Sequence, residues 1–225
     1  IDCRLSAGGD AAPRPPLPPD EPLVAAATGV FSSQWSWSKR PVWMVTPMVS
    51  YMAGILAALG VTAAAYVQRR GGPTQTVSVS GLQAAFALNT GTYVTGPKHA
   101  GSMLDQGEPR GASPNYAIYP TGDGWVFVGA LTDVFWVKLA TLLGRLDLLA
   151  DERLQNGPTT FAAPSTRAFV RGELEPLLRG RSTADWVARL RAADIPCGAV
   201  GTRADFLRDP EARTLGLATP IDDPV

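Results

Sequence analysis

The longest apolar segment of the chain covers residues 41 to 68 and contains no charged side chain. Its alanine-rich centre, followed by Gly71-Gly72-Pro73, predicts a helix from Met48 to about Arg69, because glycine and then proline commonly end helices. Glycines and hydroxyl side chains interrupt the segment, and basic residues flank both of its ends. A helix packed on all sides inside a domain is therefore favoured over a membrane span, which the length alone would allow.

Shorter patterns on both sides of this helix predict strands and further helices. Residues 1–5 and 76–79 are typical of strands, the second because β-branched residues alternate along it. Asp20-Glu21-Pro22 begins one helix, since acidic residues and an early proline favour a first turn. Ser80-Gly81 begins another helix, which should end near residue 92. Helices that alternate with strands indicate an α/β domain.

The pattern changes after residue 115. Two alternating segments flank Thr121-Gly122-Asp123-Gly124 and predict a β-hairpin over residues 116–128, because Asp-Gly supplies the positive φ angles of a tight turn. Helices are predicted for residues 133–143, 165–178 and 183–193, and a short helix should end near Asp209. Residues 96–115 are rich in glycine, proline and polar side chains, which predicts a linker and a long loop.

Composition excludes several classes of function. The 225 residues carry 20 basic and 20 acidic side chains, so the chain has no net field to attract nucleic acid or anionic lipid. Cys3 and Cys197 match no metal-ligand spacing, which argues against a metal site or a disulfide and fits a cytoplasmic location. Because the sequence starts at Ile1 without a methionine and stops abruptly, we expect it to be a piece of a longer chain.

Few residues suggest chemistry by themselves. Nucleotide-binding, serine-hydrolase and zinc-protease motifs are absent from the sequence. The tryptophan-rich segment 35–43 could stack on bases, although packing against another element or a partner chain is favoured. His99, the single histidine, lies in the long loop, where a solvated role is favoured over a catalytic one. Asp20 and Glu21 point apart on a helix, which favours a helix-dipole role over an acid–base pair.

Three stretches have the order and spacing of a known family's motifs. The first is DIPCGAV at residues 194–200, followed by DPEARTLG at 209–216. The second is MAGILAAL at 52–59, followed by QTVSVS at 75–80, and the third is YPTGDG at 119–124. Together they resemble the class III CoA-transferase family, which includes formyl-CoA transferase, the carnitine CoA-transferases and the α-methylacyl-CoA racemases.

The resemblance implies an α/β fold with two domains. Residues 1–95 would form the later part of a Rossmann-like large domain, and residues 96–114 a linker with a glycine-containing loop. Residues 115–200 would form a small α+β domain, and residues 201–225 would return toward the large domain. Members of the family form interlocked dimers, so a homodimer, or pairing with a related chain, is implied.

The resemblance also implies a site for coenzyme A, with an acyl-CoA and a carboxylic acid as substrates and no metal. Ser6, Ala7 and Gly8 match a loop that lies along the CoA nucleotide. A second segment matches the loop that covers the active site, and its implied members are Gln106, Gly107, Glu108, Arg110 and Gly111.

The chain departs from the family at the catalytic position. Family transferases use an aspartate just before the long helix, which forms a mixed anhydride with the acyl group. Counting back from the motif at 52–59 places that aspartate at Trp43 or Met44, and neither can form an anhydride. No catalytic residue is therefore assigned, and Glu108 is the favoured substitute.

Three hypotheses about function stay open. The chain could be an acyl-CoA transferase that moves CoA between carboxylic acids with a relocated nucleophile. It could be a degenerate, non-catalytic half that pairs with a competent chain, or a CoA-ester isomerase, lyase or racemase. The sequence does not indicate the acyl group.

Overall fold

The computed structural model describes residues 1–9, 18, 20–38, 40–90, 108–219 and 221. The chain divides into two compact units, Ile1–Pro109 and Arg110–Val225.

The described residues of the first unit form a parallel strand pair and three helices. Its elements are β1 (Asp2–Ser6), α1 (Glu21–Ala27), α2 (Met48–Arg69), β2 (Thr76–Ser80) and α3 (Gly81–Leu88). Strands β1 and β2 pair in parallel, from Asp2 opposite Thr76 to Ser6 opposite Ser80. Parallel strands need a long crossover connection, which the segment carrying α1 and α2 supplies. The α/β pattern predicted for this part of the chain is confirmed.

Helix α3 begins and ends for local reasons. The hydroxyl of Ser80 accepts a hydrogen bond from the Gln83 amide at 3.1 Å, and the Gln83 side chain accepts one from the Ser80 amide at 2.9 Å. This capping box satisfies two backbone donors at the helix start. The helix ends at Leu88, several residues before the predicted end near residue 92.

One side of α2 packs on the rest of the first unit, where small side chains allow close approach. At Gly60 an added Cβ atom would lie 2.6 Å from Cγ1 of Val77 in β2, so a larger residue there would force the Val77 side chain to move. The small core of the unit also contains residues of α1, α2 and α3, together with their neighbours: Ala7, Val24, Ala25, Val30, Val49, Ala84 and Ala85.

The opposite side of α2 is exposed. Four large side chains on it, Tyr51, Ile55, Leu59 and Tyr66, are each at least 60% exposed. The prediction that α2 is packed on all sides is therefore wrong for the described chain, because the neighbouring elements cover one side of the helix only. Among the described residues, α2 is also the one helix long and apolar enough to cross a membrane, a test that core helices of soluble proteins pass as well.

The second unit is built on an antiparallel sheet of four strands. These are β3 (Gly111–Ser113), β4 (Tyr116–Pro120), β5 (Trp125–Gly129) and β6 (Cys197–Ala199), in that spatial order. Strands β4 and β5 form the predicted hairpin, with Tyr116 opposite Gly129 and Pro120 opposite Trp125. The hairpin prediction is confirmed, but the predicted tight turn with positive φ angles is wrong, because a four-residue connection joins the strands and none of residues 121–124 has a positive φ.

The α-helices described in the second unit follow the hairpin along the chain, four of them before β6 and two after it. They are α4 (Asp133–Leu142), α5 (Asp147–Ala150), α6 (Pro164–Arg179), α7 (Thr183–Ala192), α8 (Arg203–Arg208) and α9 (Pro210–Thr214). Two short 3₁₀ helices, Glu152–Leu154 and Gly157–Ala162, lie between α5 and α6. The apolar core lies between the sheet and the helices, and its fully buried members include Tyr119, Val126, Leu139, Phe161, Leu174 and Leu190.

The turn of the hairpin is attached to the start of α7. One carboxylate oxygen of Asp123 accepts hydrogen bonds from the Thr183 amide at 2.7 Å and from the Thr183 hydroxyl at 2.9 Å. Both hydrogen bonds lower the pKa of Asp123, because they stabilise the ionised carboxylate. The bond from the Thr183 amide has the larger effect, and the bond from its hydroxyl has the next largest. The turn sequence therefore positions a helix as well as closing the hairpin.

Candidate functional site

A cavity of about 240 Å³ lies in the first unit, where the carboxyl ends of β1 and β2 meet the first turns of α1 and α2. In open α/β sheets, ligands bind at the carboxyl ends of parallel strands. The lining residues are mostly small or aliphatic, with two adjacent carboxylates and two serines: Leu5, Ser6, Ala7, Asp20, Glu21, Val24, Val49, Ser50, Ala53, Val79 and Gly81.

Glu21 brings a carboxylate to the first turn of α2. Its Oε1 accepts a hydrogen bond from the Val49 amide at 3.0 Å, and its Oε2 accepts one from the Ser50 amide at 2.7 Å. The Ser50 hydroxyl donates a further, short hydrogen bond to Oε2. Helix α2 has Pro47 at its N-cap position, no side-chain capping bond and no acidic residue in its first turn. Glu21, which precedes Val49 by 28 positions and Ser50 by 29, therefore caps this helix.

We expect the Glu21→Ala variant to destabilise the first unit by about 1–2 kcal/mol, because two amides at the start of α2 lose their acceptor. Urea unfolding, followed by tryptophan fluorescence, measures the change. The matched control is Asp20→Ala, since the Asp20 side chain makes no capping bond to α1, and its effect should stay within about 0.5 kcal/mol. Equal losses in both variants would contradict the capping role.

The predicted CoA-binding segment lies partly at this cavity. Ser6 and Ala7 line it at the end of β1, whereas Gly8 is not among its described lining residues. The segment turns sharply, because the Ser6 hydroxyl accepts a hydrogen bond from the Gly9 amide at 3.1 Å and Gly9 has a φ of 83°. The assignment of Ser6, Ala7 and Gly8 to CoA stays a prediction.

The predicted active-site loop is described only in part. Gln106 and Gly107 lie outside the described residues, as does His99. Arg110 forms an ion pair with Glu175 of α6 at 2.5 Å, and its guanidinium lies 5.4 Å from the centre of the Trp125 ring. Gly111 begins β3. None of Glu108, Arg110 and Gly111 lines the described cavity, and their role in an active site stays a prediction.

Trp43 and Met44 lie outside the cavity as described. The Trp43 side chain is exposed and stacks on Phe31, with the ring centres 5.4 Å apart. Met44 packs against the small core of the first unit. The first turn of α2 directs Ser50 toward the cavity instead. Counting along the sequence assigned the catalytic aspartate to Trp43 or Met44. The carboxylate that contacts the start of the long helix belongs to a different residue, Glu21.

Sequence reasoning missed the pairing of Glu21 with Ser50. It assigned Glu21 to the dipole of its own helix, α1, whereas the carboxylate contacts the next helix. One signal could have indicated this contact. A helix that starts at a proline without a capping side chain needs an acceptor from elsewhere in the fold.

The cavity has the chemistry of a carboxylate site on an aliphatic wall. The carboxylate of Glu21 is held by two backbone amides at the start of α2. Such a group can act as nucleophile and as leaving group in acyl transfer. Within the described part of the chain, no cluster of three or more histidine, cysteine, aspartate or glutamate residues could hold a metal ion.

Comparisons with known proteins relate the chain to CoA-transferases. The sequence model of CoA-transferase family III matches residues 1–225. A probable fatty acyl-CoA transferase, Rv3272 of Mycobacterium tuberculosis, is 27% identical over 206 residues, which are 85% of this chain and 50% of the relative. Succinyl-CoA–D-citramalate CoA-transferase of Chloroflexus aurantiacus is 29% identical over 170 residues, 71% of this chain and 39% of that protein.

The same kind of protein appears among solved structures. A crystal structure of Rv3272 superposes with a TM-score of 0.78 at 23% identity, and the match covers 98% of this chain and 61% of that one. At this identity the likeness shows the fold. The chain spans about half the length, or less, of these two curated relatives.

Proposed function

Because the chain belongs to CoA-transferase family III, we propose that it is an acyl-CoA transferase-like protein that moves CoA between carboxylic acids. The observation that carries the proposal is the Glu21 carboxylate, which stands in the cavity against the first turn of α2. Glu21 would be the group that accepts the acyl chain.

The proposed reaction exchanges bonds without an added reagent. A Glu21 oxygen bonds to the acyl carbon as the carbon–sulfur bond breaks, which gives a mixed anhydride and the CoA thiolate. The thiolate then attacks the glutamyl carbonyl, and the donor acid leaves. The incoming carboxylate repeats the two steps in the reverse order. The amides of Val49 and Ser50 favour departure of the carboxylate, since they stabilise its negative charge.

CoA would extend from the cavity along the Ser6–Gly8 segment. Two features support this placement. The segment follows the carboxyl end of β1, where phosphate groups bind in many α/β folds. Its small side chains would also allow backbone amides to approach a phosphate.

The finer architecture is part of the same proposal. The parallel β1–β2 pair supports a Rossmann-like large domain. The exposed side of α2 supports a partner, either a second copy in an interlocked dimer or a related chain. The free thiols of Cys3 and Cys197 support a cytoplasmic location.

Trapping tests the proposal. The protein, with any partner chain, is incubated with butyryl-CoA, hydroxylamine is added, and modified carboxyl groups are mapped by mass spectrometry. A hydroxamate on Glu21 supports the transferase. A hydroxamate on another acidic residue, such as Glu108, would show that this residue and not Glu21 is the nucleophile.

A second candidate is the non-catalytic half. It is favoured by Ser50, because the first turn of the long helix directs a hydroxyl rather than a carboxylate into the cavity. If CoA binds but no acidic residue is labelled, this candidate replaces the first. A Ser50→Asp variant then tests it further: a label acquired at position 50 would show that only the carboxylate had been missing.

A further inference from the structure

We infer that the cavity accepts a short, uncharged aliphatic acyl group and rejects an acyl group that ends in a second carboxylate. This inference rests on the proposed function, since it names the substrate class of the same site. It is carried by three features of the cavity: its wall, its charge and its size.

The wall of the cavity is aliphatic. Val24, Val49 and Val79 line it and are 4%, 2% and 7% exposed, so their side chains form a buried apolar surface. Ala53 of α2 lines it as well. An alkyl chain gains from contact with such a surface, whereas a terminal carboxylate would lose its hydration against it.

The charge of the cavity is negative. Asp20 and Glu21 both line it, and none of its described lining residues is basic. The Glu21 carboxylate already accepts hydrogen bonds from the start of α2. A second carboxylate on the acyl group would therefore meet two like charges, and juxtaposed like charges weaken binding strongly.

The cavity is large enough for the acyl end of an acyl-CoA but not for the whole molecule. Its volume of about 240 Å³ is below the roughly 300–1,000 Å³ of pockets that enclose drug-sized molecules. It can hold a short acyl chain next to the thioester, while the rest of CoA extends outside.

Two thioether analogues with the same chain length test the inference. S-butyl-CoA and S-(3-carboxypropyl)-CoA differ in a terminal methyl or carboxylate group and have no carbonyl to attack. Calorimetry on the protein should give at least about tenfold tighter binding of S-butyl-CoA at low salt. The preference should shrink at about 0.5 M salt, since salt screens charge.

A charge-removing variant sharpens the test. Asp20→Asn should reduce the preference severalfold, because one of the two repelling charges is gone. Glu152→Gln, which removes an exposed carboxylate in the second unit, should leave the preference unchanged. Equal binding of both analogues, or tighter binding of the carboxypropyl compound, would overturn the inference and leave the proposed function standing. Failure of both analogues to bind would overturn the proposed function itself.

Discussion

The Glu21→Gln variant is expected to lose acyl labelling by roughly a thousandfold or more, the scale on which removal of a nucleophile acts. An amide oxygen is a poor nucleophile, and an amide cannot accept and release an acyl group as a carboxylate does. The glutamine side chain is nearly equal in size to that of Glu21, and its oxygen can still accept from one amide of the α2 start. The loss should therefore be chemical rather than a consequence of unfolding.

Labelling with butyryl-CoA and hydroxylamine measures this loss, and urea unfolding shows that the variant keeps its fold. The control is Glu152→Gln, an exposed acid-to-amide change in the second unit, which should label as the wild type does. Undiminished labelling of the Glu21→Gln variant would contradict the assignment of the nucleophile. The stability cost should also stay below that of Glu21→Ala, because alanine removes every acceptor.

Several elements of the fold could be predicted because their signals are local. Helix α2 begins at Met48 and ends at Arg69, as Pro47 on one side and the Gly-Gly-Pro on the other indicate. The hairpin of β4 and β5 follows from the two alternating segments on either side of residues 121–124, although none of those four residues has a positive φ angle. In both cases, neighbouring residues in the sequence determine the geometry.

The candidate site could be predicted only in part, because it depends on contacts between distant residues. Ser6 and Ala7 were expected at a ligand site and line the cavity. The contact of Glu21 with Val49 and Ser50 spans 28 and 29 positions, and no periodicity reports such a contact. Counting back from the family motif placed the catalytic position at Trp43 or Met44, in the segment before α2, and a count along the sequence does not show which residues line a cavity.

The exposed side of α2 could not be predicted either, because it also depends on contacts between residues that are distant in the sequence. A continuous apolar pattern indicates that a helix is covered by something, but it does not identify the cover. In the described chain, β2 and α3 pack against one side, and Ile55 and Leu59 on the other side stay exposed. Composition therefore predicted the helix correctly and its surroundings wrongly.

Filling the cavity from α2 should separate acyl binding from folding. Ala53 lines the cavity one turn after Val49 and Ser50, so the Ala53→Leu variant would place a bulkier side chain in the space proposed for the acyl chain. We expect at least about tenfold weaker binding of S-butyl-CoA and a matching loss of labelling on Glu21. The stability should fall by no more than about 1–3 kcal/mol, because Ala53 packs against the small core of the unit as well as lining the cavity.

The matched control is Ala58→Leu, which adds the same atoms to an exposed position of the same helix. Its binding of S-butyl-CoA should equal that of the wild type, since the added side chain points away from the packed side of α2. Calorimetry on both variants gives the comparison, and urea unfolding confirms that both are folded. If Ala53→Leu bound the analogue as tightly as Ala58→Leu does, the acyl chain would have to lie outside this cavity, and Glu21 would lose its proposed role together with it.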